Sequence, residues 1–338
     1  MIFYAPNVHV GGGFELLKSL LDSIKEDTDN VFILDARIFE RINLTQFKNV
    51  HFVEPTIKSR FQAELIVRKS TQKHEKIFCF HSLPPILAKC KNISVFIQNR
   101  LYINKFPLVG YGIKTSIRLI CERFIFKSFA HKVTEYIVQS NSMKEELCTY
   151  FGANSKPNIS VFPFLPITDV NTNDWGETQK YYDFIYVADA SEHKNHNNLL
   201  DAWKKLAVNG HFPSLALTLP SNCKFQPIID TLKKYYGCSI TNLGVLSRQN
   251  IREAYIQSHA LIYPSLVESF GMPLIEAEQL GLPIVASELD YVRDVVHPIE
   301  TFNPNSSTSI YLSVLRFLNK NDELVTLRKP IEFIKYLI

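Results

Sequence analysis

Residues 263–278 read YPSLVESFGMPLIEAE, and they place Glu268 and Glu276 eight positions apart with Gly271 and Pro273 between them. Proline suits the first turn of a helix, where its missing N–H goes unused, and glycine lets the backbone approach a ligand closely. The stretch grows out of one short apolar run, ALIYPS (260–265), and leads into another, PIVAS (283–287). The pattern predicts strand, loop, helix, strand, with Glu268 in the loop and Glu276 in the first turns of the helix. A helix start offers free N–H groups and the positive end of the helix dipole, which suit a diphosphate.

Outward from this unit, the same alternation of short apolar runs and helical patterns fills the chain. Upstream, the candidate strands are IFYAP (2–6), VFILD (31–35), VHFVE (50–54), KIFCFH (76–81), ISVFIQN (93–99) and EYIVQS (135–140). Turn residues and prolines over 153–180 read as a linker, after which DFIYVAD (183–189), LALTLP (215–220) and ITNLG (240–244) complete a second set. The expected fold is α/β, with two doubly wound parallel sheets, a number in keeping with 338 residues. Ligands of open parallel sheets bind beyond the carboxyl ends of the strands, so the residues just after strands become the candidates for chemistry.

Hydrophobic residues make up 46% of the chain and charged ones 21%, which excludes disordered and low-complexity classes. The net charge of +4 is one-sided: residues 1–170 hold 22 Lys and Arg against 15 Asp and Glu, so the basic excess belongs to the first half. Such asymmetry points to an anionic surface as partner. Six cysteines without regular spacing read as buried, reduced thiols of a cytosolic protein. The start, MIFYAPNVHVGGG, reads as a first strand rather than a signal peptide, and no apolar run reaches the ~18 residues of a spanning helix.

The segment ESFGMPLIEA followed by GLPIVAS resembles the E-x7-E signature of GT-B glycosyltransferases of family 4, which are retaining and metal-independent, and in particular bacterial surface-polysaccharide (O-antigen and capsule) transferases. The resemblance implies an acceptor-binding domain over residues 1–165, a nucleotide-sugar domain over 180–325, and a short C-terminal helix over 326–338 returning to the first domain. It implies that Glu276 holds the donor ribose and Glu268 lies beside the transferred sugar, with Ser269, Phe270, Gly271, Met272 and Pro273 on the donor side. By the same resemblance Lys194, in ADASEHKNHNN (188–198), is expected to be the cation for the leaving diphosphate. Many relatives carry an Arg six positions earlier, where this chain has Ala188, so Lys194 either works alone or is helped by Arg100, His193, His196 or the backbone.

The run Gly11-Gly12-Gly13 after the first strand lets main-chain N–H groups close over phosphate. His81 and the triplet Gln98-Asn99-Arg100 end two strands and are candidates for sugar or acceptor contacts. Residues 114–132, KTSIRLICERFIFKSFAHK, combine basic and apolar positions and are expected to touch an anionic membrane at its inner face. No nucleic-acid motif accompanies them. Asp27-Thr28-Asp29 has the D-x-D form of metal-dependent transferases but falls in a turn between helix and strand, and no metal or cofactor is assigned. The function expected is transfer of a sugar from a nucleotide diphosphate to a saccharide acceptor, lipid-linked. The rivals are an inert carbohydrate-binding scaffold and a sugar-nucleotide epimerase or phosphorylase on the same plan.

Overall fold

The computed structural model describes residues 1–24, 29–103, 106–108, 110–152, 157–165 and 179–319. Asp27, Thr28, the whole 166–178 connection and the 326–338 helix expected at the C-terminus lie outside the described residues.

The first sheet has seven strands, all parallel: β1 (Ile2–Ala5), β2 (Val31–Asp35), β3 (Val50–Val53), β4 (Lys76–Cys79), β5 (Asn92–Phe96), β6 (Glu135–Val138) and β7 (Asn158–Val161). Their spatial order is β3-β2-β1-β4-β5-β6-β7. The second sheet has six, also parallel: β8 (Tyr182–Tyr186), β9 (Leu215–Leu217), β10 (Ile240–Asn242), β11 (Ser258–Tyr263), β12 (Ile284–Ser287) and β13 (Glu300–Phe302), in the order β10-β9-β8-β11-β12-β13. Central strands read as unbroken apolar runs because both faces are covered. Side-chain alternation then divides each strand between two cores: Ile2, Tyr4 and Ile33 pack on one face of the first sheet, and Phe3, Ala5, Phe32 and Leu34 on the other.

The described helices are α1 (Gly11–Asp22), α2 (Ile57–Ser70), α3 (Ile113–Phe129) and α4 (Asn141–Phe151) in the first domain. In the second they are α5 (His196–Val208), α6 (Gln226–Tyr236), α7 (Arg248–Ile256), α8 (Met272–Gln279), α9 (Asp290–Arg293) and α10 (Ser307–Phe317). Helix α1 packs on one face of its sheet, through Phe14, Leu17 and Leu21, while α2, α3 and α4 share the other.

Two sequence expectations are corrected, and one unannounced strand is added. The stretch 153–180 is not all linker, since residues 158–161 form β7 at the edge of the first sheet, half-buried and therefore without an unbroken apolar run. Strand β13, with only Phe302 buried, was equally silent in the sequence. Of the six cysteines only Cys79 and Cys238 are buried, whereas Cys121 and Cys148 are exposed on helices.

Strand order reverses direction between β1 and β4 in the first sheet and between β8 and β11 in the second. At such switch points neighbouring loops diverge to opposite faces and leave a crevice. The loop after β1 leads to Gly11–Gly13, that after β4 carries His81, that after β8 carries Lys194, and that after β11 carries Glu268.

Candidate active site

Lys194 closes a 3-10 turn, residues 192–194, that follows β8. The turn is fixed from three sides. Tyr186 donates to the Lys194 carbonyl at 2.8 Å, and the buried Asn195 side chain donates to the carbonyls of Pro264 and Pro304. The Leu266 amide donates to the His193 carbonyl at 2.8 Å, which ties this turn to the loop after β11. Asn195 has φ 62°, and its polar side chain tolerates that left-handed backbone.

Lys194 and Glu268 form a salt bridge of 2.6 Å, with both side chains largely buried. Glu268 Oε1 also accepts from Tyr263 Oη at 3.0 Å and from Ser265 Oγ at 2.5 Å. All three donors converge on one oxygen, which leaves Oε2 as the acceptor of this carboxylate that can serve a bound hydroxyl. Burial alone would raise the Glu268 carboxyl, but Lys194 and the hydrogen bonds hold it below its ordinary value. Burial would likewise lower the Lys194 ammonium, and the carboxylates of Glu268 and Asp189 hold it above its ordinary value. The pair is ionised.

Gly271, the N-cap of α8, has φ 73°, and a β-carbon there would stand 2.9 Å from Leu274 Cδ1. Glycine is required by both the backbone and the space. Pro273 lies in the first turn. Gly11 begins α1, so the three glycines are the first turn of that helix, not a loop ahead of it. A β-carbon on Gly12 would stand 3.1 Å from Met272 Cγ, so the starts of α1 and α8 face one another across the domains. Neither helix has a side-chain cap, a feature shared with α3, α5, α6 and α9, whereas α2, α4, α7 and α10 are capped by Thr56, Ser140, Ser247 and Ser306; what sets α1 and α8 apart is that their starts meet. Two uncapped starts together leave several amide donors for an anion.

Glu276 stands in the second turn of α8 and receives a hydrogen bond from Tyr255 Oη at 3.2 Å. Burial raises its carboxyl above the ordinary value against the effect of Tyr255 and the more distant Arg248. Arg248, at the start of α7, reaches Glu15 of α1 at 3.4 Å and so links the two domains.

The other candidates serve scaffolding contacts. Gln98 Nε2 donates to the Phe80 carbonyl, and a β-carbon on Gly13 would collide with its Oε1. Asn99 Oδ1 accepts from the Leu101 amide. Arg100 pairs with Glu146, and its Nη1 donates to the Glu268 carbonyl at 3.2 Å. Its guanidinium is therefore engaged and does not supply a second cation beside Lys194. Ser269 Oγ donates to the Gln98 carbonyl at 2.7 Å and accepts from the Arg100 amide at 3.0 Å, while Val267 is buried in the first domain's core. The loop carrying Glu268 is thus clamped onto the first domain. Phe270 is buried beneath the same loop.

Neither histidine beside Lys194 is a cation. His193 Nδ1 shares a hydrogen bond of 2.8 Å with Tyr111 of the first domain, and burial, then Lys194, lower its affinity for a proton. His196 packs between Tyr186 and Phe225 and is lowered to about 4 by burial. His81, against the Tyr4 ring, is lowered to about 4 for the same reason.

Tyr263, Ser265 and Tyr111 escaped the sequence reading. Ser265 stands three residues before Glu268, a spacing that could have flagged it, whereas Tyr111 is brought to His193 only by the fold.

A family model described as glycosyl transferases group 1 matches residues 168–330. The O-antigen chain mannosyltransferase RfbU of Salmonella typhimurium is 24% identical over 188 residues, 53% of this chain and 49% of that protein. The serotype-specific mannosyltransferase WbdA of Escherichia coli is 27% identical over 114 residues, 33% of this chain and 14% of that one. The match spans about half the length of the first relative and less of the second. The structure of HepE from Anabaena with UDP and glucose superposes with a TM-score of 0.65 at 12% identity, over 94% of this chain and 89% of that one. The lipopolysaccharide outer core galactosyltransferase WaaB, in apo form, gives 0.62 at 15% identity over the same shares. At such identities the likeness is one of fold. Residues 168–330 are therefore similar to the glycosyl transferases group 1 family, and the chain has a two-sheet GT-B fold.

Proposed function

We propose that the chain is a retaining, metal-independent glycosyltransferase that moves a sugar from a nucleotide diphosphate onto a lipid-linked saccharide in surface-polysaccharide assembly. The observation that carries this reading is the meeting of two uncapped helix starts, α1 and α8, beside the Lys194–Glu268 pair. Amide donors, two dipoles and an ammonium converge where a diphosphate would leave. The relatives' names make a nucleotide diphosphate mannose the first donor to test.

In this mechanism the bond from the anomeric carbon to the diphosphate oxygen breaks while the acceptor hydroxyl attacks from the same face. Its proton passes to an oxygen of the departing diphosphate. Glu268, with three donors on one oxygen and its proton affinity depressed, is a poor covalent nucleophile. Its free Oε2 suits it to hold a hydroxyl of the transferred sugar. The test is incubation of the purified protein with a panel of nucleotide sugars and saccharide acceptors, with the anomeric configuration of product read by NMR. Release of nucleotide with inverted product refutes the retaining mechanism, and binding without turnover of any donor refutes an enzyme in favour of a carbohydrate-binding scaffold.

Because helix starts and Lys194 supply the positive potential, EDTA is expected to leave the transfer rate unchanged. Among the described residues no group of three or more His, Cys, Asp or Glu stands ready to hold a metal ion. Loss of turnover on chelation, restored by a divalent cation, would overturn metal independence.

We place the protein at the inner face of the membrane. No helix among the described residues is long and apolar enough to cross one. Instead α3 exposes Ile113, Ile117, Ile120 and Phe124, the last at 68%, at helical spacing, with Lys114, Arg118 and Lys127 exposed beside them. Arg123 and Lys132 turn inward to backbone carbonyls. Apolar side chains with flanking cations fit an anionic lipid interface, each basic group adding about 1 kcal/mol near the surface. The protein is expected to float with phosphatidylglycerol vesicles at low ionic strength and to be released by high salt. Failure to float at low salt reduces the stripe to an ordinary solvated surface.

A further inference from the structure

The carboxyl ends of β1 and β2 carry positive charge that the donor site does not use. Arg37 follows β2, Arg41 comes a turn later, and Arg60 stands in the first turn of α2. Two of them meet on one neutral atom: Asn7 Oδ1 accepts from Arg60 Nη2 at 2.7 Å and from Arg37 Nη2 at 3.4 Å. Arg41 donates to the His9 carbonyl and lies 3.8 Å over the Phe14 ring. One carboxylate is paired in this group, the fully buried Asp35, which Arg37 grips at 2.6 and 2.8 Å and His9 approaches at 3.7 Å. Among the described residues Arg41 and Arg60 have no carboxylate within ion-pair distance. Glu54 acts on Arg37 from further away, and Glu64 is occupied by Tyr4 and the Leu87 amide.

Two guanidinium groups share one neutral amide oxygen; Asp35 balances Arg37, whereas Arg41 and Arg60 keep unused donors and a charge that no ion pair balances. The histidines alongside add acceptors or donors but no charge. Burial lowers both His9 and His81, and the Nδ1 atom of each is buried without a hydrogen-bond partner. The cluster holds the loop that runs from β1 into Gly11, through Asn7 and His9, and so stands beside the start of α1.

We infer that Asn7, Arg37, Arg41 and Arg60 form an anion subsite that takes the phosphate or diphosphate group of the acceptor. The inference rests on the glycosyltransferase reading and deepens it, because a saccharide joined to a lipid through phosphate carries such a group. Planar guanidinium forks match phosphate oxygens in pairs, which a lysine cannot do. The bound anion balances the charge of Arg41 and Arg60 and takes up donors that now have no partner.

Calorimetry with inorganic pyrophosphate on the full chain separates this site from the donor site. The wild-type protein is expected to show both sites, Lys194→Ala to keep the arginine site alone, and Arg60→Gln to keep the Lys194 site alone. Weakening at the arginine site of about tenfold or more matches loss of one charged hydrogen-bond donor. Arg41→Gln, at an exposed position, gives the same direction should Arg60→Gln fold poorly. If both arginine variants bind as the wild type does, the subsite is refuted. If only Lys194→Ala is without effect, the donor reading fails instead. Geranyl diphosphate is the second probe: it should compete with pyrophosphate at the arginine site. A site that binds pyrophosphate and excludes geranyl diphosphate is an ion site only, which overturns its assignment to an acceptor.

Discussion

Lys194→Ala is expected to lower the turnover number by about a hundred- to a thousandfold while the protein stays folded, the loss seen when one pre-organised donor to a developing oxyanion is removed. The structure gives two reasons for so large an effect. The ammonium is held in place before any ligand arrives, since Tyr186 and Asn195 fix its turn and Glu268 fixes its tip. No neighbouring cation replaces it: Arg100 is engaged by Glu146 and the Glu268 carbonyl, and His193 and His196 are held neutral. The deletion also leaves Glu268 as a buried carboxylate beside the incoming diphosphate, and removing one partner of a buried ion pair costs about 3–5 kcal/mol. The double variant Lys194→Ala, Glu268→Gln separates the two effects. Thermal stability should largely return in the double variant, and turnover should not. Single-variant turnover within about tenfold of wild type, roughly 1.4 kcal/mol, would show that the leaving group is stabilised elsewhere.

What the sequence could convey about this site follows from how each residue is placed. Glu268, Gly271, Pro273 and Glu276 lie within one loop and two helical turns, so their relation is local and spacing alone carries it. The same holds for the glycines at the start of α1. Lys194 became a candidate because a strand end is recognisable and the family resemblance pointed to a cation there, and the structure places it after β8 at the switch point. The clamp of Ser269 between Gln98 and Arg100 joins residues about 170 positions apart, and Tyr111 meets His193 only once both sheets are packed. No periodicity reports such pairings. For that reason Arg100 looked like a free cation in the sequence and is a bound one in the structure. The edge strands β7 and β13 were hidden by the same cause. A strand covered on one side, or only three residues long, lacks the apolar run by which buried parallel strands announce themselves.

The clamp changes how donor and acceptor halves should respond to one another. Glu268 is bonded to Lys194 of the second domain through its side chain and to Arg100 of the first through its carbonyl. Any rotation of the domains that breaks the Ser269 contacts must also disturb the loop on which Glu268 stands. Glu276, on the helix behind, has no bond of this kind to the first domain among the described residues. Nucleotide binding and sugar positioning are therefore separable, with the first governed by α8 and the second by the seam.

That separation makes Glu276→Gln the cleaner probe of the nucleotide. The variant is expected to weaken nucleotide diphosphate binding by about 10- to 100-fold, since a charge-assisted hydrogen bond is worth about 1.5–3 kcal/mol. Glutamine keeps an oxygen for Tyr255 but offers a ribose hydroxyl a neutral amide in place of a carboxylate. The pH dependence supplies a second reading. Burial raises the Glu276 carboxyl, so its proton is taken up at a higher pH than for an ordinary glutamate. A ribose hydroxyl needs the ionised form, and affinity should fall as pH drops through this raised value, above the usual carboxylate range of about 4. The glutamine variant has no such group to titrate and should lose the acid limb while keeping the weakened plateau. Calorimetric titration with UDP and GDP at several pH values, on protein shown to be folded, decides the matter. Equal affinity in the two proteins, or an acid limb that persists in the variant, would remove the ribose from Glu276.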